Sequence, residues 1–117
     1  MPFASLAAVL LAAAVGTGAF GAHALKGKLD AYSLGIWEKA VFYHFLHAIG
    51  MLIVALSVKR SNTICLLLLA GILLFSGSLY ALALTGVRGL GAVTPFSGVA
   101  FLAAWLMLAW RLSRNSS

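Results

Sequence analysis

Negative charge is nearly absent from this chain. Asp30 and Glu38 are its two acids, set against eight Lys and Arg, for a formal net charge of +6. Both acids sit near the margin of an apolar run. No carboxylate is therefore expected in the middle of a span, where a proton-coupled transporter would need one. Cysteine is equally scarce. Cys65 stands alone, so an intrachain disulfide is excluded, and its apolar surroundings suit a small hydrophobe better than a reactive thiol. There is also no paired carboxylate and no nucleophile at a recognisable spacing from a base, which leaves a catalytic reading without a motif.

What is present is long apolar sequence. Residues 1–25, 40–58, 61–87 and 89–110 contain no Asp, Glu, Lys or Arg. Each run is about as long as the ~20 residues that an α-helix needs to cross hydrocarbon. The apolar fraction is 63%, well above the roughly 45–50% of soluble domains. These runs predict an all-α integral membrane protein: a four-helix transmembrane bundle forming one domain, with spans at about 3–22, 38–57, 63–84 and 95–112. The excess of basic residues flanks the spans, so it reads as membrane orientation and attraction to anionic head groups. A nucleic-acid partner is not expected. Ala22-His23-Ala24 imitates a signal-peptide cleavage site. However, no basic residue precedes the first run and the run is longer than a signal core, so it is read as a retained first helix.

In span one, Ala14, Gly18 and Ala22 recur every fourth residue, as do Thr17 and Gly21. Small residues one turn apart let helix backbones approach closely in lipid. Gly18 and Gly21, with Gly77 and Gly98 further on, are therefore expected at helix contacts. Residues 23–39 mix charge with Leu25, Leu29, Tyr32 and Trp37, which suits an interfacial segment between the first two helices. Asp30 can cap a short helix there. Thr94-Pro95 reads as the start of the last helix, with Thr94 as cap and Pro95 in the first turn. The apolar, glycine-rich stretch 86–93 before it is expected to be irregular. It is expected to fold back against the ends of spans one and two near His23 and Glu38, where Arg88 would meet Glu38, a lipid phosphate or a partner's acid.

The polar residues worth testing are His23, Glu38, His44, His47 and Arg88. Tyr43, His44 and His47 lie near one helical face. The helical zinc signature needs histidines four apart with a Glu between them, and neither condition is met, so no metal and no cofactor are expected. At least one of His44 and His47 is expected to hydrogen-bond inside the bundle. Ser76 or Ser78 could meet His47 across two helices, but nothing in the spacing selects that pair. Four spans place both termini on one side with Lys59, Arg60, Arg111 and Arg114, and Lys26, Lys28, Lys39 and Arg88 on the other. The count is a tie. The short Lys59-Arg60 loop, undiluted by acids, favours cytoplasmic termini.

Gly18 to His23, Tyr43 to His47, Phe75-Ser76-Gly77-Ser78-Leu79-Tyr80, and Val93-Thr94-Pro95 with Gly98, Phe101-Leu102 and Trp105 resemble the bacterial membrane family called domain of unknown function 423, which includes a eukaryotic transmembrane relative. One departure is Pro95-Phe96-Ser97-Gly98, where the family often has two glycines. The resemblance implies a four-helix protein of the bacterial inner membrane with its N-terminus inside, and it implies no reaction. The expected function is non-enzymatic binding of membrane lipid or a partner, with a homo-oligomer or a second membrane protein as partner. The alternative is an oligomeric small transporter or channel, which would need a polar path through the bundle. A membrane-embedded enzyme would need a cavity with a nucleophile or metal beside His44 and His47.

Overall fold

Asp30 starts the longest helix. In the computed structural model, which describes residues 2–115 (without the Asn115 side chain), its carboxylate accepts a 2.7 Å hydrogen bond from the Ser33 amide. This N-cap satisfies one of the donors that a helix start leaves open. The helix it opens, α2, runs Ala31–Ser57 without interruption. Before it, α1 (Phe3–Phe20) continues into a π-helical turn, Gly21–Leu25. After it come α3 (Asn62–Gly71), a second π-helical turn at Ile72–Ser76, and α4 (Gly77–Thr85), together one continuous rod. A 3-10 turn, Arg88–Ala92, leads into α5 (Val93–Asn115). The described residues thus form four rods, each long and apolar enough to cross a membrane.

Backbone packing follows chain order, while side chains also join α2 to α5 and the first rod to the third. The first rod packs on α2, α2 packs on the third rod, and the third rod packs on α5. The molecule measures 52 × 26 × 22 Å, so its long axis exceeds a hydrocarbon core of ~30 Å. One cluster of buried side chains, around Met51, Ile64, Leu68 and Ala104, fills the half of the bundle nearer the termini. A smaller one around Leu25, Trp37 and Ala83 fills the other half. Leu46, Ile53, Leu56, Leu66, Leu73 and Leu106 face outward. A soluble protein would bury such side chains, and here they match lipid.

Three expectations are corrected. The second span begins at Ala31 rather than near Glu38, and His23 belongs to the first rod, so the interfacial segment shrinks to a tight turn over residues 26–30. Gly27 at φ +90° makes that turn. The reason is burial: Leu34, Ile36 and Trp37 pack into the smaller cluster, which extends the helix through sequence that looked interfacial. The last helix begins at Val93 rather than Pro95, because the 3-10 turn runs straight into it and no extended cap residue is needed. Pro95 still lies in the first turn, where its missing N–H is tolerated. The 3-10 turn itself packs chiefly on α4 and α5, not on the ends of the first two spans. Gly86, left-handed at φ +70°, ends α4 and turns the chain back on it.

Candidate functional site

Two histidines one helical turn apart on α2 face different neighbours. His44 joins a polar chain that ties three rods together. Its Nδ1 lies 2.9 Å from the Tyr80 hydroxyl, and that hydroxyl lies 2.9 Å from Thr17 Oγ1. Trp37 Nε1 donates to the Thr17 carbonyl at 2.9 Å. The opposite nitrogen of His44, Nε2, is sealed from solvent and has no hydrogen-bond partner. It faces the backbone of Leu10 without meeting hydrogen-bond geometry. Nearby, Ser76 donates to the Ala40 carbonyl at 3.0 Å, and Ser78 pairs with Thr94 at 2.9 Å. Interhelical bonds of this kind are the usual polar glue of membrane bundles.

His47 is arranged otherwise. Its Nδ1 lies 2.9 Å from the carbonyl of Tyr43, one turn back on its own helix. Its ring stacks on Phe101 with centroids 3.5 Å apart and planes 13° apart. Trp105 and Tyr43 stand further out. Together with Phe75 and Gly98, these residues line a lateral groove of about 340 Å³, with Pro95 and Leu102 at its edge. Leu102, which lines the groove, is exposed on α5, so the groove reaches the lateral surface of the bundle. The π-helical turn Ile72–Ser76 carries Phe75 into the wall. Single π turns inside α-helices recur at functional sites.

Aromatic rings seat on glycines throughout. A Cβ at Gly21 would fall 2.5 Å from the Trp37 indole, one at Gly50 would fall 2.5 Å from Trp105, and one at Gly71 would overlap the Phe101 ring. Gly50 and Gly71 were missed in the sequence reading. The signal for them was Phe101 and Trp105, four apart on α5 and in need of small residues opposite. Gly18 faces Val41 at 3.4 Å and Gly98 faces Phe75 at 3.8 Å, both ordinary contacts, whereas a Cβ at Gly77 would meet nothing within 4 Å. Thr17 was marked only as a small residue of the repeat with Gly21, and Tyr80 only within the family motif; that their hydroxyls meet is a relation between helices that spacing along one helix does not carry.

His23, Glu38 and Arg88 are exposed. Among the described residues, no hydrogen bond or ion pair joins Arg88 to Glu38, and no three of His, Cys, Asp or Glu come together as a metal site would require. Neither Ser76 nor Ser78 bonds to His47, because both hydroxyls are turned to other partners. At the end that carries the termini, Lys59, Arg60, Arg111 and Arg114 line a basic cleft of about 410 Å³. Arg111 holds it in shape by donating to the carbonyls of Lys59 and Arg60. Arg114 lies over the Trp110 ring at 4.7 Å.

Four apolar rods, an outward-facing hydrophobic surface and polar side chains paired inside define a small multi-span membrane protein. Sequence comparison names the group more closely. Residues 17–98 match the family described as protein of unknown function DUF423, and the chain belongs to that family. It is 47% identical to the UPF0382 membrane protein SH2409 of Staphylococcus haemolyticus over 111 residues, covering 91% of this chain and 90% of the relative. It is 50% identical to SERP0230 of Staphylococcus epidermidis over 111 residues, with the same coverage. It is 47% identical to YwdK of Bacillus subtilis over 112 residues, covering 91% of each chain. No solved structure matches.

Proposed function

We propose that this protein is a non-enzymatic binding protein of the bacterial inner membrane, which takes up a lipid-phase molecule in the lateral groove at His47. The observation that carries this reading is the groove itself. It is a recess of about 340 Å³ walled by Tyr43, Phe75, Phe101 and Trp105, with an imidazole at its base. Small-molecule sites have this make-up: mostly apolar and aromatic lining with a few placed polar groups. The polar groups in the bundle interior support binding over transport, because they are largely spent on one another. Membrane lipids are the partners that the reading names. The basic cleft at Lys59, Arg60 and Arg111 suits anionic head groups of the cytoplasmic leaflet, which supports an orientation with both termini in the cytoplasm.

Native mass spectrometry of protein released gently from its own membrane tests the groove. An apolar adduct of defined mass is expected on the wild type. Gly98→Leu and Leu102→Trp, which fill the groove from two sides, should each remove it. A wild-type protein without any such adduct, or an adduct retained in both variants, defeats the reading.

A further inference from the structure

We infer that the groove is built for a lipid-soluble ring that carries a hydroxyl group, the chemistry of a quinol, and that it prefers the hydroxylated ring to the oxidised, carbonyl-bearing form. The inference rests on the groove being a binding site, and it concerns binding alone. Its starting point is the His47 tautomer. The Tyr43 carbonyl can only accept, so Nδ1, 2.9 Å away, must donate to it. A neutral imidazole carries one N–H. Nε2 is therefore a bare lone pair, fixed as an acceptor by a backbone bond within the same helix.

The second observation is where that lone pair lies. His47 is only 4% exposed, and its Nε2 has no partner among the described residues. Yet the one side-chain polar atom sealed away without a partner among the described residues is Nε2 of His44. Nε2 of His47 must therefore reach the groove surface, since the groove is the opening that His47 lines. An acceptor held in hydrocarbon with nothing to accept from is costly, and lipid tails supply no donor. A ligand hydroxyl does. A quinone carbonyl would set lone pair against lone pair, and reversing the tautomer to suit it would break the Nδ1 bond. Tyr43 is also a lining residue, but a phenol hydroxyl can donate or accept and so does not discriminate.

The third observation is the shape of the walls. The rings of Tyr43, His47 and Phe101 lie within 15° and 13° of one another in turn, while Phe75 and Trp105 are tilted against them by 46° to 50°. A lining made mostly of rings suits a ring-bearing guest, which it can meet face-on or edge-on. Gly98 adds no side chain to the lining beside Phe75, and the exposed Leu102 marks where an isoprenoid or alkyl tail would leave for the bilayer.

The test uses the full-length protein in nanodiscs and three probes of one ring: a dimethylnaphthohydroquinone, the matching naphthoquinone, and the hydroquinone's dimethyl ether. Binding is read by equilibrium dialysis under reducing conditions for the hydroquinone. The hydroquinone should bind about tenfold or more tightly than either the quinone or the ether, the size of effect expected when one desolvated acceptor loses its donor. His47→Phe keeps a stacking ring but removes the acceptor, and should bind all three alike. If His47→Phe does not fold, the three-probe comparison on the wild type decides by itself, with Gly98→Leu as the blocked control. Equal affinity for the three probes on the wild type, or selectivity that survives His47→Phe, overturns the hydroxyl inference and leaves the groove standing. No binding of any probe to the wild type, with no native adduct, overturns both.

Discussion

Trp37 lies directly over Gly21, and the two are locked there by a hydrogen bond. The indole fills the space where a Cβ on Gly21 would stand 2.5 Å from the ring, while its Nε1 donates to the carbonyl of Thr17 at 2.9 Å. One side chain therefore supplies both close packing and a polar tie between the first two rods. Phe20 meets the same indole edge-on, and Tyr80 leans against it at 4.6 Å.

That contact predicts different tolerance at two neighbouring glycines. Gly21→Ala should destabilise the bundle by about 1–3 kcal/mol, the usual range for forcing a methyl into filled space. Gly18→Ala has 3.4 Å to Val41 and should be near neutral, because the added contact offsets the small crowding. Thermal unfolding in detergent, followed by circular dichroism, compares the two. Equal midpoints would show that the indole moves aside freely.

The polar chain predicts coupling across helices. Tyr80→Phe removes the bonds to both Thr17 and His44 and should cost about 1–2 kcal/mol, given ~0.6 kcal/mol for a typical bond in a membrane bundle and more when a buried partner is left unpaired. His44→Leu should cost less than Tyr80→Phe, since it also removes the sealed Nε2. A double-mutant cycle with Thr17→Val measures the shared part. Strict additivity would mean that the chain contributes nothing as a unit.

How much of this was legible beforehand follows from what patterns can carry. Span number and order are written in the spacing of charge, since an apolar run of membrane length has few other fates. Gly18 and Gly21 were visible because small residues repeat along one helix. Which ring seats on which glycine is a relation between helices, so the pairs Gly50–Trp105 and Gly71–Phe101 were not visible. The sequence marked both His44 and His47, but their different roles depend on register: His44 meets Tyr80 from the third rod, and His47 meets Phe101 from the last. Arg88 drew attention as the one charge in an apolar loop, yet it lies exposed beside α4 and α5, because its glycines form a compact 3-10 turn that satisfies the backbone locally.

The cap on α2 predicts a pH dependence with a definite sign. The Ser33 amide bonds the ionised carboxylate and holds Asp30 below the ordinary carboxylate range. A carboxylate lowered in the folded state stabilises at pH values above its unfolded value of ~3.9, and that contribution is lost as pH falls through the folded value. The protein should therefore lose stability on acidification in that window. Asp30→Asn, which caps without ionising, should flatten this part of the profile while leaving stability near neutrality little changed. Midpoints from pH 7 down to pH 3, as round working values, decide it. An unchanged acid limb in Asp30→Asn would assign the loss to another group.

The basic cleft yields the last prediction. Lys59, Arg60 and Arg111 converge there with Arg114, and Asp30 and Glu38, the two side-chain acids of the chain, both lie towards the opposite end of α2, so neither offsets the mutual repulsion of Lys59, Arg60 and Arg111. Arg111 spends donors on the carbonyls of Lys59 and Arg60, which holds the short turn in place and keeps the remaining positive charge concentrated at the membrane surface. An anionic lipid phosphate would relieve that repulsion, at about 1 kcal/mol per basic residue near a charged surface. Lys59→Gln with Arg60→Gln should therefore lower the retention of phosphatidylglycerol relative to phosphatidylethanolamine after detergent extraction, and raised salt should lower it in the wild type too. Arg111→Met removes the carbonyl bonds as well, so it should add a loss of thermal stability that the double Gln variant does not show. If lipid retention is the same in all three proteins at low salt, the cleft is only a solvated turn, and the orientation drawn from it loses its support.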